Sequence, residues 1–558
     1  MSFSHETCEE TSVLVVGGSL VGLSAAVCLA HHGVPTIVLE RHASSGLHPR
    51  AIGVSPRSME IYRSVGLDSQ IPQLPPEFRL RRARVESLAG RWFNELPWTD
   101  CKGSSCLRPY SPCSGSAMSQ DQLEPVLRMR AIELGTDVRM KNHLVRFQQD
   151  DKGVMAVAKD RTGREYRLRA EYMIAADGHR SSVREELAIP RSGRGVMQTV
   201  RSVVFRAPLE TYLNRGITQF IVEEADFKCF LTVYRDGRWM LVAFDDIERD
   251  DNELRLLISR AIGRDNVPIE IITAGRWELS AQVADSFQSG RVFLAGDAAH
   301  TLPPNRGGYG VNTGIEDAHN LAWKLAHVLR GTASTNLLDT YDSERQPIAW
   351  LRHEQIFARA DFEEHRKADK SDIDGMKVVL DDVAMEFGQR YNSCAIIDSI
   401  NKCDSTSCDN GPLERPLAMR PECWAGLPGT RAPHLQIQLG ETSISTLDLF
   451  GREWVLLFES EDWHRVLATV QNRTDWSLPV QTVQVNEDVF VNDIVRFRTA
   501  WGWSSTGHGT SLVRPDGYVA WRTQGLHRAE DALEAVLQQL MGLGRDCTKR
   551  VDIGMAES

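Results

Sequence analysis

Residues Ser12 to Glu40 read SVLVVGGSLVGLSAAVCLAHHGVPTIVLE. SVLVV is rich in β-branched residues and reads as a strand of a parallel sheet buried on both faces. Gly17-Gly18-Ser19-Leu20-Val21-Gly22 follows, then an apolar helix to about His32 that Gly33 ends. PTIVLE is a second strand with an acid, Glu40, at its tip. A strand, a glycine turn, a helix and a second strand closed by a carboxylate form the dinucleotide-binding fingerprint. The turn admits a pyrophosphate to the helix N-terminus, and the carboxylate takes a ribose hydroxyl. Ser19 holds the middle place that the fingerprint gives to glycine, and a serine hydroxyl there could itself reach a phosphate. The other reading is a glycine turn with no ligand. Ser12–Ala30 carries no charge, and length alone admits a membrane span. The glycines and the acidic start MSFSHETCEE argue against a span and against a signal peptide.

The chain has 558 residues, 42% hydrophobic and 25% charged, with a net charge of −11. That composition predicts two to four soluble domains. No basic stripe is present, so nucleic acid is not an expected partner. Eleven cysteines are scattered without a Cys-x-x-Cys pair, which predicts no metal site and suits a reducing, cytoplasmic setting.

Two later segments narrow the choice of dinucleotide. YMIAADGHRSS is a strand ending at Asp177-Gly178, and GRVFLAGDAAH is another ending at Gly296-Asp297. In this order after the first unit, they resemble the FAD-dependent aromatic hydroxylases of the para-hydroxybenzoate hydroxylase type. The resemblance covers nearly the whole chain. It implies that Asp297 bonds the flavin ribityl chain and that Asp177 packs near the flavin and nicotinamide region. It further implies cofactor contacts at Gly17, Ser19, Leu20, Val21, Gly22, Glu40, Arg41, Arg50, Gln120 and Leu144. For Gln120, capping-turn polarity is an equally simple reading, and for Leu144 core packing is the simpler one.

The stretch from Pro303 to Asn312, PPNRGGYGVN, resembles the loop beside the isoalloxazine ring. Pro304, Gly307, Gly308, Gly310, Val311 and Asn312 are its implied cofactor contacts. The following residues have helical periodicity, with Ile315, Leu321, Leu325 and Leu329 on one broad face, so a helix is expected to start near 310–312. Its N-terminus offers about half a positive charge. Near an anionic reduced flavin this is worth roughly 2 kcal/mol, or about 1.5 pKa units. Arg306 stands as an insertion in the loop. It reads equally as a group steering nicotinamide or substrate and as a solvated arginine.

Residues 75–112 and 191–288 interrupt the FAD domain, which is expected over 1–74, 113–190 and 289–366. The second interruption alternates: TVRSVVFRA, TQFIVEE and CFLTVYRDGRWMLVAF. That pattern predicts antiparallel strands with a hairpin at Asp236-Gly237. The resemblance places substrate against this sheet, with Phe220, Phe230, Thr232, Tyr234, Trp239 and Arg306 as pocket candidates. Core packing is the competing reading for the aromatics. No second dinucleotide fingerprint follows residue 60. The resemblance then implies that NADPH or NADH reaches the flavin transiently and that O2 adds to give a C4a-hydroperoxide, which hydroxylates a phenolic or polycyclic aromatic. Baeyer–Villiger or decarboxylating chemistry on the same scaffold, and a flavin scaffold without turnover, remain open. A base for the phenol is expected. His48, Tyr234 and His300 are candidates, with loop packing as the other reading of His300.

Residues 367–430 read as a connecting segment and 545–558 as a tail. From 431 to 544, strands and a last helix resemble the thioredoxin-like domain of the larger aromatic hydroxylases, which include phenol hydroxylase and the anthracycline and indolocarbazole tailoring enzymes; a place in secondary-metabolite biosynthesis is the expectation. Without Cys-x-x-Cys the domain has no thioredoxin chemistry and reads as structural or as an interface, a homodimer included. The fold class is thus α/β (α+β overall): a Rossmann-like FAD-binding domain, an inserted antiparallel-sheet substrate domain and a thioredoxin-like C-terminal domain.

Overall fold

A computed structural model of the chain describes residues 8–48, 50–75, 78, 80–96, 108–304, 308–359, 378–397, 416–473 and 479–541. The first strand, Glu9–Val16, lies in the middle of a parallel sheet. It pairs with Thr36–Glu40 on one side and Glu165–Ala175 on the other, with Asp137–Met140 and Val292–Leu294 at the flanks. Val13, Leu14 and Val15 are fully buried, as strands covered on both faces must be. An antiparallel pair, His143–Gln149 and Val154–Lys159, extends from the outer half of Glu165–Ala175.

Helix Leu20–His31 is apolar almost all round and buried almost all round, as expected of a helix packed on every side. The long helix Tyr309–Leu329 crosses it closely. A Cβ on Gly314 would stand 2.5 Å from Val21 Cγ2, so the crossing is set by glycine.

The second sheet has eight strands in the order His300–Thr301, Glu270–Ala284, Arg191–Arg206, Trp239–Ala243, Lys228–Val233, Gln219–Glu223, Arg82–Val85, Trp92–Leu96. Strands from both interruptions therefore share one sheet. Two details differ from the expectation of a purely antiparallel insert: Gln219–Glu223 runs parallel to Arg82–Val85, and the edge strand His300–Thr301 comes from beyond residue 288. Helix Asp251–Ile262, held at its start by an Asp250–Glu253 capping box, covers one face through Leu254, Ile258 and Ile262. The other face looks toward the parallel sheet.

The C-terminal sheet orders Val480–Gln484, Trp454–Phe458, Thr510–Val513 and Val519–Thr523. The first pair is parallel, joined through helix Asp462–Arg473, and the last pair is the hairpin around Gly517. This domain is bonded to the long helices by buried charge. Arg514 donates to Glu344 at 2.7 Å, and Lys324 donates to the same carboxylate at 2.8 Å. Burial pulls the Lys324 ammonium down to about 8, against the pull of Glu344. Arg431 reaches Glu60 at 2.9 Å. Removing one partner of such a pair leaves a buried charge uncompensated. No helix among the described residues is long and apolar enough to cross a membrane.

Candidate functional site

Between the parallel sheet and the free face of the second sheet lies a continuous cavity of about 2540 Å³. A pocket for one small ligand occupies roughly 300–1,000 Å³, so there is room here for a dinucleotide and a second molecule together.

One end of the cavity is made largely of backbone. Gly17 has φ +105°, a conformation that side chains disfavour, and a Cβ there would sit 2.3 Å from Ala176 O. A Cβ on Gly22 would lie 1.8 Å from Gly17 O. Gly22 thus builds the turn without lining the cavity, whereas Gly17, Ser19, Leu20 and Val21 line it. Glu40 stands opposite and takes the Gly18 N–H at 2.7 Å. Arg41, Arg50, Gln120 and Leu144 also line this end. Gln120 ties its parts together: its oxygen accepts the Arg50 N–H at 3.2 Å, and its amide donates to Ser19 Oγ at 3.0 Å. Ser19 in turn donates to Glu124 at 2.6 Å.

Sequence reading missed Glu124 and Arg128, both on the wall. They sit four and eight residues beyond Gln120 on helix Gln120–Glu133, so helical spacing was the available signal. The Arg128 Nε is buried without a partner among the described residues. Ser119 starts this helix but makes no capping bond, its hydroxyl donating to Asp121 instead.

The middle of the cavity is the loop ahead of the long helix. Asp297, Pro304, Gly308, Gly310, Val311 and Asn312 line it. Gly307 and Arg306 lie outside the described residues. The helix begins at Tyr309, slightly earlier than expected, after Gly308 in the left-handed region at φ +57°. No side chain caps it, and a helix start leaves its first amides without acceptors inside the helix. Asn312 plays a structural part: its oxygen accepts the Ser55 N–H at 3.0 Å and the Ser58 hydroxyl at 2.7 Å. Asp177 lines the cavity and accepts the Val183 N–H at 3.2 Å, while its second oxygen is buried without a partner among the described residues.

The far wall is the second sheet. Directly paired residues share a face, and Ile221 pairs with Phe230 while Gln219 pairs with Thr232. These four line the cavity with Met240, Val242, Phe244, Trp277 and Leu279. Phe230 and Thr232 are thus on the wall, whereas Phe220, Trp239 and Tyr234, also expected in the pocket, are not. Phe220 pairs with Leu231 on the opposite face and stacks against Trp239 under helix Asp251–Ile262. Both rings are core. Tyr234 is also covered, packed with Val200, Val204 and Met240 and off the cavity.

Of the base candidates, His300 is fully buried away from the cavity, its Nε2 bonded to Asp317 at 2.8 Å, with Arg345 on the other oxygen of that carboxylate. His48 lines the cavity, but its Nε2 meets Ser202 Oγ at 2.7 Å, and Ser202 also accepts the Trp277 N–H at 2.9 Å. Burial lowers the His48 pKa. The segment read as merely connecting also contributes to the wall, through Asp382, Met385 and Glu386.

An FAD-binding domain family matches residues 10–355, and an aromatic-ring hydroxylase C-terminal family matches residues 425–543. The chain belongs to the FAD-dependent aromatic-ring hydroxylases. The hydroxylase is 35% identical to the 4-methyl-5-nitrocatechol 5-monooxygenase of Burkholderia sp over 95% of this chain and 98% of the relative. It is 34% identical to the tetracenomycin A2 monooxygenase-dioxygenase of Streptomyces glaucescens over 96% and 98%. Among solved structures, the ternary complex of aklavinone-11 hydroxylase with FAD and aklavinone superposes with a TM-score of 0.82 at 32% identity. That match covers 96% of the hydroxylase and 100% of the other chain. The hydroxylase is a flavoprotein monooxygenase that uses FAD, NAD(P)H and O2. Its residues suit the cofactor: a glycine turn that a Cβ would fill, a carboxylate at the end of the second strand, and an unpartnered guanidinium nitrogen on the same wall.

Proposed function

We propose that the hydroxylase adds one oxygen atom to a phenolic or polycyclic aromatic molecule lying between the second sheet and the start of the long helix, in secondary-metabolite biosynthesis. The observation carrying this reading is the division of one cavity into a backbone-lined end and an end walled by Ile221, Phe230, Met240, Val242, Phe244, Trp277 and Leu279. The first suits a charged dinucleotide and the second suits a flat apolar ring. The aromatic substrates in the names of its relatives support the same class.

In this reading Gly17, Ser19, Leu20, Val21, Glu40, Arg41, Arg50, Gln120 and Leu144 hold the adenosine and pyrophosphate. Asp297 holds the ribityl chain, and Pro304, Gly308, Gly310, Val311 and Asn312 flank the ring. Bound FAD supplies the electron transfer and the activation of O2. The amides at the helix start favour negative charge beside them, which stabilises the reduced state. The apolar wall orients the substrate and excludes water.

The test is a panel of phenols and polycyclic aromatics scored for stimulated NAD(P)H oxidation, with products made under labelled dioxygen and weighed. One labelled oxygen in a phenol is expected. A labelled ring-expanded ester would move the chemistry to Baeyer–Villiger insertion. A flavin that no aromatic causes NAD(P)H to reduce would sink the enzyme reading.

A further inference from the structure

We propose that Glu386 accepts the proton of the substrate's phenol, an assignment that rests on the aromatic reading of the same cavity. Glu386 belongs to the short helix Asp382–Phe387, whose start Asp381 caps by accepting the Val383 and Ala384 N–H groups. That helix leans on the start of helix Pro56–Ser64: the Arg57 N–H donates to Glu386 Oε1 at 2.8 Å. Two residues earlier, the Ser55 N–H donates to Asn312 Oδ1. The carboxyl is therefore fixed next to the first turn of the long helix, and it lines the cavity together with Ser55, Pro56, Gly308 and Tyr309.

The neighbouring acid on the same wall differs in its partners. Asp382 is neutralised by Arg359 at 3.0 Å. Among the described residues no salt bridge engages Glu386, and its hydrogen bond from Arg57 comes from a neutral backbone N–H. The charged and titratable groups around it are Glu316 and Tyr309 on the long helix, Arg352 on helix Asn336–Ala358, Arg57 on helix Pro56–Ser64 and Asp382 on its own helix. Burial has the largest effect on the carboxyl and raises its pKa. Ser55 and the Arg57 N–H act against this, Glu316 adds to it and Arg352 opposes it. A carboxylate with a raised pKa is the stronger base. In the step, the phenol O–H bond breaks and an O–H bond to Glu386 forms. The negative charge passes from carboxylate to phenolate, and no electron is exchanged. The electron-rich phenolate ring is the better nucleophile toward electrophilic oxygen, and Glu386 returns the proton to the product oxygen afterwards.

The experiment uses the FAD-loaded enzyme and its E386Q and E386D variants, with retained flavin absorbance as the check on folding. The probe is 4-nitrocatechol, whose ionisation is visible in absorbance, alongside phenols from the panel that stimulate turnover. The wild type is expected to bind the probe as phenolate at pH values where the free probe is neutral. E386Q is expected to bind it neutral, to hydroxylate about 10²–10⁴-fold more slowly, and to lose the acid limb of the kcat/KM profile. E386D, with the carboxyl drawn back by one methylene, is expected to recover part of the rate, and it carries the test if E386Q loses flavin. Variants with the wild-type rate, pH profile and probe ionisation overturn the Glu386 assignment alone. A wild type that takes neither the probe nor any phenol overturns the substrate reading, and this proposal with it.

Discussion

The dinucleotide end of the cavity, from Gly17 to Glu40, is shaped by places where a side chain cannot be. The sheet wall, from Gln198 to Leu279, is shaped by side chains pointing one way rather than the other. At the first, the required residue is glycine: Gly17 turns at φ +105°, and a Cβ on Gly22 would lie 1.8 Å from Gly17 O. At the second, almost any apolar residue suits either face. Which residues meet a ligand is fixed by how Gln219–Glu223 pairs with Lys228–Val233 and by the helix that covers the back. The two ends should therefore respond differently to substitution.

The largest effect is expected from Phe220→Ala, on the covered face. Loss of a fully buried ring should cost about 3–5 kcal/mol of stability, measured by denaturant unfolding, with no change in the substrate KM of the fraction that stays folded. A KM change at unaltered stability would put Phe220 back on the ligand wall and break the comparison. Next is Gly22→Ala. The added methyl meets backbone, and about 3 kcal/mol should be lost together with FAD binding. Calorimetry and flavin absorbance would show it, and a yellow protein of normal melting temperature would mean that the turn relaxes.

Asp297→Ala should leave the fold intact and weaken FAD by at least about tenfold, or roughly 1.4 kcal/mol. Flavin fluorescence titration reads this directly, and undiminished affinity would remove Asp297 from the ribityl contact. The smallest effect is expected from Phe230→Ala. Loss of one wall ring should raise the KM for an aromatic substrate about fivefold, near 1 kcal/mol, at nearly unchanged stability. The contrast between Phe220 and Phe230 comes down to which face of the sheet each ring occupies.

The dinucleotide end was legible because its residues are close in sequence and each has a geometric job. Ser19 departs from the glycine fingerprint, and its partner Glu124 lies one helical turn beyond Gln120. The sheet was legible as alternation, but the choice of face was not. Phe220 and Phe230 look alike in sequence and lie on opposite sides. His300 follows the Gly-Asp pair closely enough to be a base candidate as well as a packed loop residue, and it is bonded to Asp317, whose other oxygen holds Arg345, an arrangement that only tertiary packing brings about. Glu386 lay in a segment with no periodic pattern, on a helix of six residues, too short to announce itself.

What the chain determined by itself was the set of elements announced by local pattern: the glycine turn, the strand-end acids and the helix start after the glycine loop, because positive-φ turns and short-range periodicity are written in neighbouring residues. Only the tertiary structure decided which alternating residues face the ligand and which carboxyl on the wall, among the described residues, has no salt bridge, because both depend on how separate elements pack around the cavity.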